Sequence, residues 1–260
     1  MPITLTRPGR RVVRRQATIW ALRLALLLAV LGAWRYANTA GEVSPLILPQ
    51  LSAVTDSFTQ LVGSSHTWQQ AGITVLEMLA AFTIAAVGGL LCGFLLSRGP
   101  VIARTAEPLL AWGYMFPLAL LYPLFLLWVG VGMGSKIAYA AVGAFFPITY
   151  NTIRGLRSVD AKYLQVGRAF GASSLQVDFN IKFGAARPMI LAGLRIGSSI
   201  VTIFVVLAEL LGSQKGLGHE IEQASSRLMI ADSYATVLLL ILITIVLQRV
   251  MERLLRAKHE

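Results

Sequence analysis

Met78 to Leu96 and Pro108 to Ser135 carry no charged side chain. Uncharged runs of that length are long enough to cross a hydrocarbon layer of about 30 Å. Ile137 to Ile153 and Ser233 to Gln248 are shorter clean runs, Met189 to Leu211 is interrupted only by Arg195 and Glu209, and Ile19 to Trp34 only by Arg23. Arg23 lies about one turn inside its run and can extend its head back to the lipid headgroups. With 56% hydrophobic and 13% charged residues, the 260-residue chain has too much apolar surface for one soluble core. The sequence therefore predicts an all-α, polytopic protein with a single transmembrane domain over 1–260 and six spans, at 19–34, 73–97, 108–130, 137–153, 189–211 and 233–250.

The basic residues orient these spans. With the N-terminus inside, seventeen Lys and Arg side chains face the cytoplasm: those from Arg7 to Arg15, Arg98 and Arg104, those from Arg154 to Arg187, and those from Arg249 to Lys258. Only Arg35, Lys136, Lys215 and Arg227 lie outside. The positive-inside rule thus places both termini, the basic segment 1–18 and the loop 154–187 in the cytoplasm, and the segment 212–232 outside. The formal charge of +11 is spread over every cytoplasmic segment and forms no basic groove with interleaved aromatics, which argues against nucleic acid as a partner. Asn38 and Ala40 make no small-x-small cleavage site after the first run, so an uncleaved anchor is expected. Cys92 is the only cysteine and sits in an apolar run, where packing is its expected role.

Ala81, Ala85, Gly89, Gly93 and Ser97 recur every four residues, a stripe of small side chains that lets another helix approach closely. Helix packing within the chain is the expected use, ahead of a seam between copies. Leu51, Val54, Phe58, Leu61 and Val62 form one apolar helical face outside the spans, suited to the outer leaflet or to the bundle. Pro117, Pro123 and Pro147 fall inside runs, where each removes a backbone donor and bends its helix. Gly130 to Lys136 looks like a phosphate loop but lacks the adjacent Gly-Lys-Ser/Thr ending and lies between two spans on the external side, so it reads as a tight turn. His66, His219 and His259 are isolated, and no catalytic or metal-ligand spacing occurs.

The loop after the fourth run has its own local logic. Asp160 is an N-cap for a helix through Phe170, Gly171 supplies the left-handed residue that ends it, and Ser173 with Gln176 makes a capping box for a second short helix. Leu175, Phe179 and Phe183 fall near one face of that second helix, an apolar face outside the membrane that needs a cover. In the fifth run, Ser198, Ser199 and Thr202 are the polar atoms best placed to meet a solute. Glu209 lies near its outer end, where an acid inside a span points to function. Tyr114 and Tyr122 are further pathway candidates.

These residues resemble the permease subunits of binding-protein-dependent ABC importers, in particular the nitrate, sulfonate and taurine group, over roughly Leu48 to the C-terminus. Gln165, Val166 and Gly167 stand where that family has Glu-Ala-Ala, Gly171 and Ile181 match, and Phe183-Gly184 stand for Leu-Pro. Around this motif Val159-Asp160, Pro188, Gly193-Leu194-Arg195, Ala208-Glu209 and Gly216-Leu217-Gly218 match at family spacing, while Glu77 replaces the arginine of the family's Thr-Leu-x-Arg. The resemblance implies a type I importer fold in the bacterial inner membrane. It also implies a coupling loop comprising Asp160, Gln165, Gly167, Gly171, Ala172, Ser173, Leu175 and Phe179 that docks into a cleft on the ATPase. A translocation pathway or gate would draw on Ser198, Ser199, Thr202, Glu209 and Tyr114, with Glu209 making a structural or gating hydrogen bond. The implied partners are two ABC ATPase subunits, an extracytoplasmic binding protein, a second permease copy and membrane lipids. No cofactor or metal is expected on this chain, because ATP and magnesium belong to the ATPase. Nitrate, a sulfonate, taurine, bicarbonate or a pyrimidine-type vitamin precursor would all be compatible solutes. A secondary transporter or a structural scaffold would leave the coupling loop and the Gly-Leu-Gly segment unexplained.

Overall fold

In lipid a backbone without water must satisfy its hydrogen bonds within itself, and long apolar runs do so as helices. The computed structural model describes residues 10–40, 43–173 and 176–256, and among these there are helices and turns but no strand. Residues 1–9 of the basic N-terminal segment, Leu175 of the coupling loop and Lys258 lie outside the described residues.

The centre of the bundle is α6 (Met133–Arg157), packed most extensively against α8 (Phe183–Gly212) and α3 (Ser65–Ser97). Small residues set these close approaches, since van der Waals contact drives helix association in lipid. A Cβ added at Gly89 would lie 2.8 Å from Ile148 Cγ2, and one at Gly93 would lie 2.6 Å from Thr152 Cβ. On the other side of α6, Gly193 and Gly197 leave room for Asn151 and Ile148. The small-residue stripe of α3 is therefore taken up by α6 of the same chain.

The third run departs from the continuous span expected over 108–130. It forms α4 (Pro100–Met115), a 3-10 turn (Leu118–Leu121) and α5 (Tyr122–Val129), with a 72° bend across the break. Phe116, just before Pro117, is pushed into an extended conformation (φ −64°, ψ 135°), as pre-proline sterics require. Pro123 does no such damage, because it occupies the first turn of α5, where its missing N–H has no helical partner. Pro147 lies inside an α6 that continues through it.

α1 (Arg10–Thr39) packs least: no residue of its apolar window is buried. Its C-terminal end is tied down where Trp34 Nε1 and Asn38 Nδ2 donate to the Pro49 carbonyl at 2.9 and 3.2 Å. α2 (Leu51–Gly63) lies against the bundle, with Val54 buried and Phe58 packed on Ala71, Leu217, Leu239 and Leu240. The remaining helices are α7 (Ala161–Ala169), α9 (Leu217–Ser226) and α10 (Ile230–Arg256). Thr18–Thr39, Ser65–Ser97, Val177–Gly212 and Ile230–Leu254 are each long and apolar enough to cross a membrane, and the bent α4–α5 pair makes a fifth candidate. α6, about 37 Å long at 1.5 Å per residue, holds Lys136 and Asn151 among its apolar residues. Covered by α3 and α8, it does not need an apolar exterior all round.

Candidate functional site

The corner around Gly171 is built by local hydrogen bonds. Asp160 caps α7, its carboxylate accepting from the Lys162 N–H at 2.9 Å. At the other end Gly171 takes φ +79°, its N–H donating to the Arg168 carbonyl (2.9 Å) while the Ala172 N–H donates to Gly167 (3.1 Å). That pair is a Schellman closure, which needs a left-handed residue. The Ser173 N–H then donates to Gln176 Oε1 (2.8 Å) and the Gln176 N–H to Ser173 Oγ (3.3 Å), the reciprocal capping box read from the sequence.

Beyond the corner the chain does not form the short separate helix expected. A π-helical turn (Val177–Lys182) runs without a break into α8, so the far side of the corner and the fifth span are one rod. Ile181 of this turn presses on Gly167, where an added Cβ would overlap its Cδ1. α7 and the rod are thereby locked together. The aromatic face expected to need a cover is partly covered from within: Phe94 of α3 lies 5.5 Å from Phe179 and 5.4 Å from Phe183, and Arg98 sits over the Phe94 ring. Arg98 also approaches Asp178 at 4.0 Å, and Asp178 pairs with Lys182 at 2.6 Å.

Solvent meets a different set of apolar side chains. Tyr163, Val166 and Phe170 project from α7 and its C-cap, and Phe170 is 88% exposed. Gln165 is exposed beside them. Sequence reading passed over these three, although their spacing of three and four residues on a short polar helix was the available signal.

At the end of the bundle away from that corner a buried polar cluster gathers. Glu209 is 1% exposed, and its carboxylate accepts from Thr74 Oγ1 (2.8 Å) and from the Gly218 N–H (2.8 Å). Thr74 Oγ1 in turn accepts the Leu217 N–H (2.9 Å), and Gln70 accepts the Gly216 N–H (2.7 Å). Gly216 and Gly218 are glycines for space: an added Cβ at either would run into Glu209. Lys136 is 2% exposed within α6, paired with Glu77 and donating to Ser213 Oγ (2.9 Å) and the Lys215 carbonyl (3.2 Å). The Glu77–Lys136 pair was not foreseen. Its signal was the presence of Glu77 where the resembled family has a basic residue.

The other pathway candidates part company. Ser198 Oγ lies 3.0 Å from Gln248 Oε1, and Gln248 Nε2 donates to Thr202 Oγ1 at 3.2 Å, so Ser198 and Thr202 bind α8 to α10. Ser199 is exposed and donates to the Arg195 carbonyl at 3.2 Å. Tyr114 is half exposed at the end of α4 and lines a cavity of about 220 Å³ with Phe116, Gly143, Ile203 and Phe204. Tyr122, by contrast, is buried against Tyr139. Among the described residues no three His, Cys, Asp or Glu side chains converge as a metal site would require.

Residues 85–258 match the family described as binding-protein-dependent transport system inner membrane component. A probable ABC transporter permease protein of Haemophilus influenzae is 31% identical over 215 residues, covering 82% of this chain and 86% of that protein. The putative aliphatic sulfonates transport permease protein SsuC of Bacillus subtilis is 31% identical over 224 residues, covering 86% of this chain and 81% of its own length. Among solved structures, a chain of the MetNI methionine ABC transporter superposes with a TM-score of 0.58 at 19% identity, covering 77% of this chain and 97% of the other. That likeness concerns the fold.

Proposed function

From the premise that this chain belongs to the binding-protein-dependent transport system inner membrane component family, and so is an ABC importer permease, we propose that it forms the membrane pathway for a small organic anion of the sulfonate class. A binding protein delivers the solute to the outer face, and two ATPase subunits act on the inner face of a pair of permease copies. Both termini and the corner at Gly171 face the cytoplasm of a bacterial inner-membrane protein. The sulfonate class is supported by the resemblance to the Bacillus subtilis permease whose name carries it.

The observation that carries the mechanism is the rigid corner at Gly171. Its exposed apolar face of Tyr163, Val166 and Phe170 lacks a cover, and its far arm is continuous with a membrane span. An exposed apolar patch of this kind marks a protein contact. Closure of the ATPases against α7 would move the rod from Val177 to Gly212 directly, because Ile181 and Gly167 leave no slack between the two arms. Movement of the rod would then shift α6, its most extensive packing partner.

The test is reconstitution. The purified chain should show no ATP hydrolysis alone, and with its ATPase and binding protein it should take up a labelled alkanesulfonate or taurine in an ATP-dependent way. Uptake of a pyrimidine precursor in place of sulfonates would correct the solute class. Ion-gradient-driven uptake by this chain alone would overturn the reading.

A further inference from the structure

Pro117 interrupts the third span near the middle of its length. Having no N–H, it leaves the Gly113 carbonyl without its helical donor. The Leu118 N–H that an unbroken helix would give to Tyr114 goes to Phe116 instead (2.7 Å). Two carbonyls are thus released at the C-terminal end of α4, the end with negative partial charge. The surrounding residues Tyr114, Met115 and Phe116 are 50%, 80% and 53% exposed.

Depth makes this exposure informative. The adjoining cavity of about 220 Å³ includes Gly143, ten residues into α6 and so about 15 Å from its outer end, and Ile203, near the middle of the fifth run. Non-helical backbone at that depth is not tolerated against lipid tails and persists only where protein or water covers it. The cavity is lined by Tyr114, one of the two residues whose carbonyls are released, and by the aromatic side chains of Tyr114, Phe116 and Phe204. No Lys, Arg or His lines it. Carbonyl ends and aromatic faces attract cations and N–H donors, and the Tyr114 O–H is the one donor a bare anion would find among the lining side chains.

We propose that the break at Phe116-Pro117 lines the water-filled translocation pathway and is a midway binding site for the ammonium or N–H end of the transported solute. This rests on the importer reading and narrows it: among sulfonates, amino-substituted ones fit the cavity and plain alkanesulfonates do not.

The test uses the full complex of permease, ATPase and binding protein, labelled in nanodiscs and assayed for uptake in sealed vesicles, in a Cys92→Ser background, with single substitutions Tyr114→Cys, Ile203→Cys and, on the exposed side of α3, Leu91→Cys. The probes are the trimethylammonium-ethyl and sulfonato-ethyl methanethiosulfonates, each rate normalised to that reagent's rate with free cysteine. Tyr114→Cys and Ile203→Cys should react with both, faster with the cationic reagent by about tenfold. Leu91→Cys should react with neither. No reaction at either cavity position, with ATP-driven uptake intact, means that protein covers the break and overturns the pathway site while leaving the importer standing. A faster anionic reagent overturns the solute class. If Tyr114→Cys does not assemble, Ile203→Cys across the cavity decides alone, and absence of ATP-driven uptake in the unsubstituted complex would count against the importer reading itself.

Discussion

Lys136 Nζ meets Glu77 Oε1 at 2.5 Å with both side chains buried, and the same ammonium reaches Ser213 and Lys215, so one cation joins α3, α6 and the segment after α8. The ammonium donates to two neutral oxygens and faces one carboxylate. Desolvating two charges is costly, and such a pair is held by geometry more than by net attraction.

Removing one partner should therefore hurt far more than removing both. Lys136→Met strands a buried carboxylate and should destabilise the chain by about 3–5 kcal/mol, whereas Glu77→Leu with Lys136→Met should recover most of that loss. Denaturant unfolding of the detergent-solubilised chain measures both. Equal losses in the single and double variants would show that the pair is not coupled.

The Glu209 cluster makes a second prediction. Thr74→Val takes a donor from Glu209 and an acceptor from the Leu217 N–H, leaving buried polar groups unsatisfied at a cost of about 1–3 kcal/mol. Gly216→Ala should be worse, because it adds strain at φ +105° and drives a Cβ into the Glu209 carboxylate. Thermal unfolding midpoints should fall in the order wild type, Thr74→Val, Gly216→Ala. A Gly216→Ala variant as stable as wild type would mean that the loop does not close over Glu209 as described.

The sequence announced the helices, the Asp160 cap, the Gly171 corner and the Ser173–Gln176 capping box because each depends on residues within a few positions of one another. Glu209 was legible as a functional acid, since a carboxylate inside an apolar run is costly, and the family resemblance implied its hydrogen bond. Its partners were not, because Thr74 lies 135 residues away and only the tertiary fold brings it near. The same kind of separation hid the Glu77–Lys136 pair. The tie of Ser198 and Thr202 to Gln248 on α10 was hidden in the same way. Pro117 and Pro123 have equal chemistry, and their different effects, mid-run against first turn, depend on where a helix restarts.

Orientation gives a third prediction, drawn from the distribution of basic residues. In a Cys92→Ser background, cysteines at Ser65 and Ser225 should react with an impermeant thiol reagent added to spheroplasts. A cysteine at Ser158 should react only after the membrane is opened. The reverse pattern would invert the topology and put the coupling corner on the wrong side of the membrane for an ATPase.

The last prediction concerns transmission through the corner. A Cβ added at Gly171 would meet nothing within 4 Å, so Gly171→Val costs no packing, and its whole effect is the strain of a β-branched residue at φ +79°, about 1–2 kcal/mol. The cheapest relief is to open the Schellman closure, which tilts α7 and its exposed face away from the rod that continues into α8. Phe170→Ala leaves the backbone alone and removes the 88% exposed ring from the same face. The two variants should separate. Phe170→Ala should weaken ATPase copurification by about tenfold or more, as loss of an aromatic anchor does, while the complexes that form remain coupled. Gly171→Val should retain part of the assembly but hydrolyse ATP without matching uptake. Gln165→Ala, an exposed polar change beside them, should do little. Copurification, binding-protein-stimulated hydrolysis and vesicle uptake read all three. If Gly171→Val is wild type in all of them, force reaches the membrane by another route than this corner.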